Sequence, residues 1–134
     1  MNIPINSIIL LATVVLTGLS AGLFLAWQVS VIPGTKLIGD QPYLETMQSI
    51  NRAILNPLFF TIFFGSVVLL SISGINEFHS NSVVFWFMLA SAIIYMLGTI
   101  LVTGIGNVPL NDQLEALKIA EMNSSKMAQF RKFY

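Results

Sequence analysis

Seven side chains in an otherwise apolar chain have the type and position to do chemistry: Trp27, Asn51, Arg52, Asn56, Tyr95, Asn107 and Asn111. An asparagine amide donates and accepts hydrogen bonds but carries no titratable proton. Four of them therefore point to polar recognition, with oxygen atoms of a partner held by hydrogen bonds, rather than to acid–base work. Tyr95 lies inside an apolar run, where a phenol needs a partner from a neighbouring helix or a ligand. Arg52 suits a lipid phosphate or a charged group on a substrate, and Trp27 suits either an interfacial anchor or a ring that stacks on a ligand. Other chemistries are disfavoured. The chain has one histidine, His79, and no cysteine, so a zinc, haem or dithiol site lacks ligands, and no metal or other cofactor is expected.

The elements that must position these residues follow from composition. Of 134 residues, 55% are hydrophobic and only 9% charged, where a soluble chain carries about 25% charged. Six Lys/Arg balance six Asp/Glu, which excludes a basic nucleic-acid-binding face, and no nucleic-acid partner is expected. A hydrocarbon layer of about 30 Å needs roughly 20 apolar helical residues. Three stretches qualify, at 8–32, 58–75 and 83–105, and none alternates as a barrel strand would. The expected fold is all-α: a transmembrane helical bundle in one domain over 1–134, in contact with the lipid bilayer.

A cleaved signal peptide is the rival for the first stretch. The leader from Met1 to Asn6 lacks Lys and Arg, and the apolar run far exceeds a signal core, so a retained span is expected. No Asp, Glu, Lys, Arg or His interrupts any span, which disfavours a proton-coupled transporter. Lys36 and Arg52 follow the first span, and Lys118, Lys126, Arg131 and Lys132 follow the third. All six cations thus share one side, which the positive-inside rule makes cytoplasmic. The expected location is the inner (cytoplasmic) membrane, multi-pass, with the N-terminus outside and 33–56 and 106–134 cytoplasmic. Of the twelve charges, only Glu77 lies on the outer side, beside an exposed His79.

Between the first two spans, Tyr43, Leu44, Met47, Ile50 and Ile54 recur at helical spacing, with Glu45, Gln48 and Arg52 opposite. This predicts an interfacial amphipathic helix over 43–55, with Asp40 as a cap and Pro42 in its first turn. Asn51 points with the apolar stripe and must find a partner, since burying an unpaired amide costs about 1–3 kcal/mol. Asn56-Pro57 reads as the start of the second span. After the third span, Gly104, Gly106 and Pro109 predict a stop, with Asn111 capping a cytoplasmic helix over 112–130. Asn107 has no capping task there. Within the spans, Thr13, Thr17 and Ser20, the Gly18/Gly22 pair, Thr61, Gly65 and Ser66, and Ser91, Gly98 and Thr99 read as helix-packing positions.

Three motifs combine these residues: GLFLAWQVSVIPG over 22–34, MQSINRAILNP over 47–57 and GNVPLN over 106–111. In this order and span spacing they resemble the anthrone-oxygenase-like family of small membrane proteins, from Gly22 to about Leu117. The resemblance implies a four-helix membrane protein. Fungal relatives are linked to oxidation of anthrones to anthraquinones without a metal or flavin, whereas most bacterial relatives have no assigned activity. It also implies a further segment with a Trp/Asn/His/Arg motif and a fourth span, starting near Arg131–Tyr134, whose histidine is the natural base. A longer chain or a partner would supply that segment. The expected site gathers Asn51, Asn107 and Asn111, with Asn56, Trp27, Arg52 and Tyr95, around the carbonyl or hydroxyl groups of an apolar aromatic or quinone-like small molecule. The alternative is a non-catalytic accessory subunit in a homo-oligomer or larger membrane complex, its asparagines bonding one another and capping helices. The sequence names no catalytic residue.

Overall fold

The structure is a computed structural model that describes residues 4–134; Met1, Asn2 and Ile3 of the cation-free leader lie outside the described residues. Among the described residues all regular structure is helical. Three helical runs are long and apolar enough to cross a bilayer: Ile5–Thr35, Pro57–Glu77 and Ser82–Glu115. The first comprises α1 (Ile5–Ala26), a π-helical turn at Trp27–Val31 and α2 (Ile32–Thr35). Helix α3 (Asp40–Ile54) precedes the second run, α4 (Pro57–Glu77). The third passes from α5 (Ser82–Tyr95) through π-helical stretches at Met96–Leu101 and Thr103–Asn107 into α6 (Val108–Glu115). Helix α7 (Ser124–Phe133) follows.

Two of these runs outlast their predicted stops. Pro33 and Pro109 each follow a π-helical turn, at Trp27–Val31 and Thr103–Asn107, and the helix continues past both. A proline removes one backbone donor and crowds the carbonyl four residues earlier. A turn already widened to π spacing accommodates both effects, so the proline does not end the helix. The expected single helix over 112–130 is instead broken. Helix α6 stops at Glu115, a 3-10 turn occupies Ile119–Glu121, and α7 starts after Asn123, whose Oδ1 accepts the Lys126 N–H at 2.9 Å. The break turns Ile119 into a core that an unbroken helix would not let it reach.

The chain divides into two compact units. The first holds the chain up to Leu23 and Pro57–Val102. Its α4–α5 hairpin turns at Phe78–Asn81, where the Asn81 side chain accepts the Val84 N–H. Polar groups join its helices. Thr13 Oγ1 and Ser73 Oγ are 2.9 Å apart and both buried, and Thr13 also donates to the Leu69 carbonyl. Tyr95 donates to the Phe63 carbonyl at 3.0 Å and bonds Ser20 Oγ at 2.8 Å. The close approach of α1 and α4 falls at Gly65, where a Cβ would lie 3.0 Å from Leu16 Cδ1. Gly18 and Gly22 instead face open space, so the expected packing of this pair is not made within the chain.

The second unit holds Phe24–Asn56 and Thr103–Tyr134. The apolar stripe of α3 supplies Leu44 and Met47 to a core completed by Leu114, Ile119 and Met127, with Trp27, Tyr43, Ile50 and Phe130 packed against it. Gln48, placed by spacing on the polar face, donates through Nε2 to the Leu114 and Leu117 carbonyls at 2.8 and 3.1 Å. The Leu114 carbonyl lies in the last turn of α6 and that of Leu117 just beyond it, where carbonyls lose their i+4 helical donors.

Candidate ligand-binding site

Asn51 finds its partner within the second unit. Its Nδ2 donates to the Tyr134 phenol oxygen at 2.8 Å, and that phenol donates to Asn111 Oδ1 at 2.6 Å. Two amides thus meet through a phenol, and the relay ties α3, α6 and the end of α7. All three residues are half-buried. Each amide spends one bond on the phenol and keeps capacity for others, since the group offers two donors and two lone pairs. Among the described residues no buried side-chain polar atom lacks a partner, so Asn51 Oδ1 and Asn111 Nδ2, the amide atoms outside the relay, are not buried.

Asn111 is placed differently from its expected capping role. It lies inside α6, one helical turn past the start at Val108, and its oxygen is aimed at Tyr134. Asn107 is exposed at the end of a π-helical turn and makes no capping bond, so it does not join the relay. Asn56 donates to the Ala53 carbonyl at 2.9 Å. Arg52 pairs with Glu115 of α6 at 3.6 Å on an exposed face. Trp27 packs on the core of the second unit, whereas Tyr95 belongs to the first unit and spends its phenol on Ser20 and Phe63.

Two residues outside the site expected from the sequence, Tyr134 and Arg131, complete it. Tyr134 is the centre of the relay. Its ring meets that of Tyr43 edge to face, with centroids 6.4 Å apart, and the Arg131 guanidinium lies 4.7 Å from the centre of the Tyr43 ring. Arg131 also donates to Asp40 Oδ1 at 2.9 Å and to the carbonyls of Thr35, Lys36 and Ile38. Asp40, expected as a helix cap, makes no cap bond and serves this clamp instead. The α7 pattern carried a usable signal: Met127, Phe130, Arg131 and Tyr134 recur at three- and four-residue steps, so they share a face. A groove of about 470 Å³ also runs along α3 over Pro42, Thr46, Ser49 and Ala53.

Burial raises the Tyr134 phenol above its ordinary 10.0; the Asn51 hydrogen bond pulls it down and the nearby Tyr43 pushes it up. Burial likewise raises Tyr43, against the lowering charge of Arg131. Both phenols therefore stay neutral at physiological pH and hold their protons. The folded chain keeps these protons more tightly than the unfolded chain, so their stabilising contribution is complete below pH 10.0 and disappears as pH rises through the higher folded values. The expected result is an alkaline loosening of the second unit, seen as hydrogen exchange in α3 and α7 that accelerates together with phenolate absorbance. In Tyr134→Phe the Tyr134 share of that absorbance is gone.

A family model described as anthrone oxygenase matches residues 51–133, well over half of the chain. The chain belongs to the anthrone oxygenase family. The match opens on Asn51 and takes in Asn107, Asn111 and Arg131 of this anthrone oxygenase family chain. It begins later than the resemblance read from the motifs, leaving Trp27 upstream, and extends through α7. No curated protein and no solved structure matches the chain.

Proposed function

We propose that this membrane protein binds an apolar, oxygenated polycyclic aromatic of the anthrone or quinone class, and that the Asn51–Tyr134–Asn111 relay receives its oxygen atoms. One observation carries the reading: two amides and a phenol from three separate elements converge at 2.6 and 2.8 Å while keeping unused hydrogen-bonding capacity. Such a set complements a ligand that presents a carbonyl acceptor beside a phenol donor. The Nδ2 of Asn111 serves the carbonyl, and Asn51 Oδ1 accepts from the phenol. The aromatic body of the ligand packs on the Trp27 and Tyr43 side of the same unit. Amides and neutral phenols bind and orient rather than abstract protons, so the relay positions the ligand. Family membership supports this ligand class, because the family is described by an anthrone oxidation.

The test is a titration with an anthraquinone in lipid nanodiscs, read by quenching of Trp27 in a Trp86→Phe background. Asn51→Leu and Asn111→Leu are each expected to weaken binding about tenfold, the equivalent of one lost hydrogen bond. Lys126→Gln serves as the unaffected control. Equal affinity for all four proteins, with folding intact, removes the proposal and leaves the accessory-subunit reading.

The same reading places the relay on the cytoplasmic face. Six basic side chains at 36, 52, 118, 126, 131 and 132 support that orientation. The chain has no cysteine, so single replacements report on topology without background. An impermeant maleimide applied to intact cells is expected to label Asn81→Cys and to spare Ser125→Cys until the membrane is opened. The inverse pattern reverses the orientation.

A further inference from the structure

We infer that the junction between the end of the first span and α7 is a docking surface for an anionic phospholipid headgroup. The span Ile5–Thr35 has 31 residues. No charged residue interrupts it, and Lys36 is the first charge after it. Lys36 and Leu37 follow directly and so fall at headgroup level. Arg131 fastens α7 to this point, donating to the carbonyls of Thr35, Lys36 and Ile38 at 3.3, 3.1 and 2.7 Å. Lys132 and Phe133 follow Arg131 in the last turn of α7, the turn that this clamp fastens to the end of the span.

The four side chains fit a charged interface. Leu37 and Phe133 are 88% and 74% exposed, the two most exposed large apolar side chains among the described residues. Lys36 and Lys132 are exposed beside them. Among the described residues Arg52, Lys118 and Arg131 are ion-paired, with Glu115, Glu121 and Asp40; Lys36, Lys126 and Lys132 enter no ion pair, and of these Lys36 and Lys132 adjoin an exposed large apolar side chain. An exposed apolar residue next to an uncommitted lysine, repeated on two segments held together by Arg131, is the pattern of an interfacial anchor. The apolar side chains enter the acyl boundary and the ammonium groups meet lipid phosphate. Phosphatidylglycerol is the probe of choice, because it pairs a phosphate with a net negative charge. The placement rests on the span and on the Arg131 clamp, not on the ligand site.

The experiment titrates the full chain in neutral detergent with phosphatidylglycerol and counts bound lipid by native mass spectrometry. Each lysine is expected to contribute about fivefold to lipid affinity, so Lys36→Gln/Lys132→Gln weakens it roughly 25-fold. The charge-matched control Lys118→Gln/Lys126→Gln retains the parental affinity, and circular dichroism verifies that both variants keep their helix content. Phosphatidylcholine binds the parent as weakly as the double variant binds phosphatidylglycerol. The inference is overturned by equal losses in the two double variants, which indicate net charge alone. It is equally overturned by phosphatidylcholine binding as tightly, or by inorganic phosphate displacing the lipid at matched concentration.

Discussion

Leu44→Ala is expected to destabilise the second unit by about 2–5 kcal/mol, as a truncation of a fully buried core leucine does. Leu44 is fully buried in the cluster formed with Met47, Leu114, Ile119 and Met127. Removing three carbon atoms there loses their transfer energy and leaves a void whose walls come from three different elements. Backbone positions fixed by the Gln48 bonds to α6 and by the Arg131 clamp limit the collapse that would relieve it. Hydrogen exchange in nanodiscs measures the effect, and amides of α3, α6 and α7 should lose protection together. Leu37→Ala, at an exposed position, is expected to stay within about 0.5 kcal/mol. Local loss confined to α3 would mean that the cluster is not one cooperative core.

Arg131→Gln is expected to release α7, with a loss of about 2–4 kcal/mol spread over the clamp's charge-assisted bonds. One guanidinium reaches Asp40 Oδ1 and three carbonyls at the end of the first span. These carbonyls lie at and just beyond the helix end, where few backbone donors reach them, and a cation there also complements the helix dipole. Arg131→Lys should not rescue, because an ammonium is a point donor and cannot span four acceptors as the planar fork does. The readout is limited proteolysis after Lys118 and Lys126, faster in both variants. Asp40→Asn should have a smaller effect than Arg131→Gln, since it keeps all four acceptors and removes only the charge of one, and Asp40 is partly exposed.

Much of this architecture is legible in the sequence because the bilayer allows so few solutions. Uncharged runs of this length can pair their backbone groups only as helices, so the three spans follow from composition. The amphipathic pattern of Tyr43, Leu44, Met47, Ile50 and Ile54 likewise names the face of α3 that carries the core residues. Asn51 was conspicuous as an amide on an apolar stripe, and it does take a partner. The partner itself, Tyr134, was not legible, because pairing across 83 positions depends on how α7 folds back. That fold in turn depends on the break at Ala116–Asn123, which no glycine or proline announces. The Pro109 stop, and the end of the first span before Pro33, failed for a related reason. Helix-breaking rules assume α spacing, and the π-helical turns before both prolines suspend that assumption. Arg131 read as one cation among four after the third span, whereas its role as a clamp follows from where the carbonyls of Thr35, Lys36 and Ile38 are brought.

The central claim is that the amide–phenol relay receives the oxygen atoms of an aromatic ligand, and side-chain amide NMR tests it most directly. With ¹⁵N-labelled asparagine in nanodiscs, the Asn51 and Asn111 side-chain resonances are assigned by single replacements and followed during an anthraquinone titration. Both are expected to shift along one saturable curve, while Asn76 and Asn81 of the first unit stay fixed. Saturation of Trp27 quenching with the Asn51 and Asn111 amides unmoved would contradict the account.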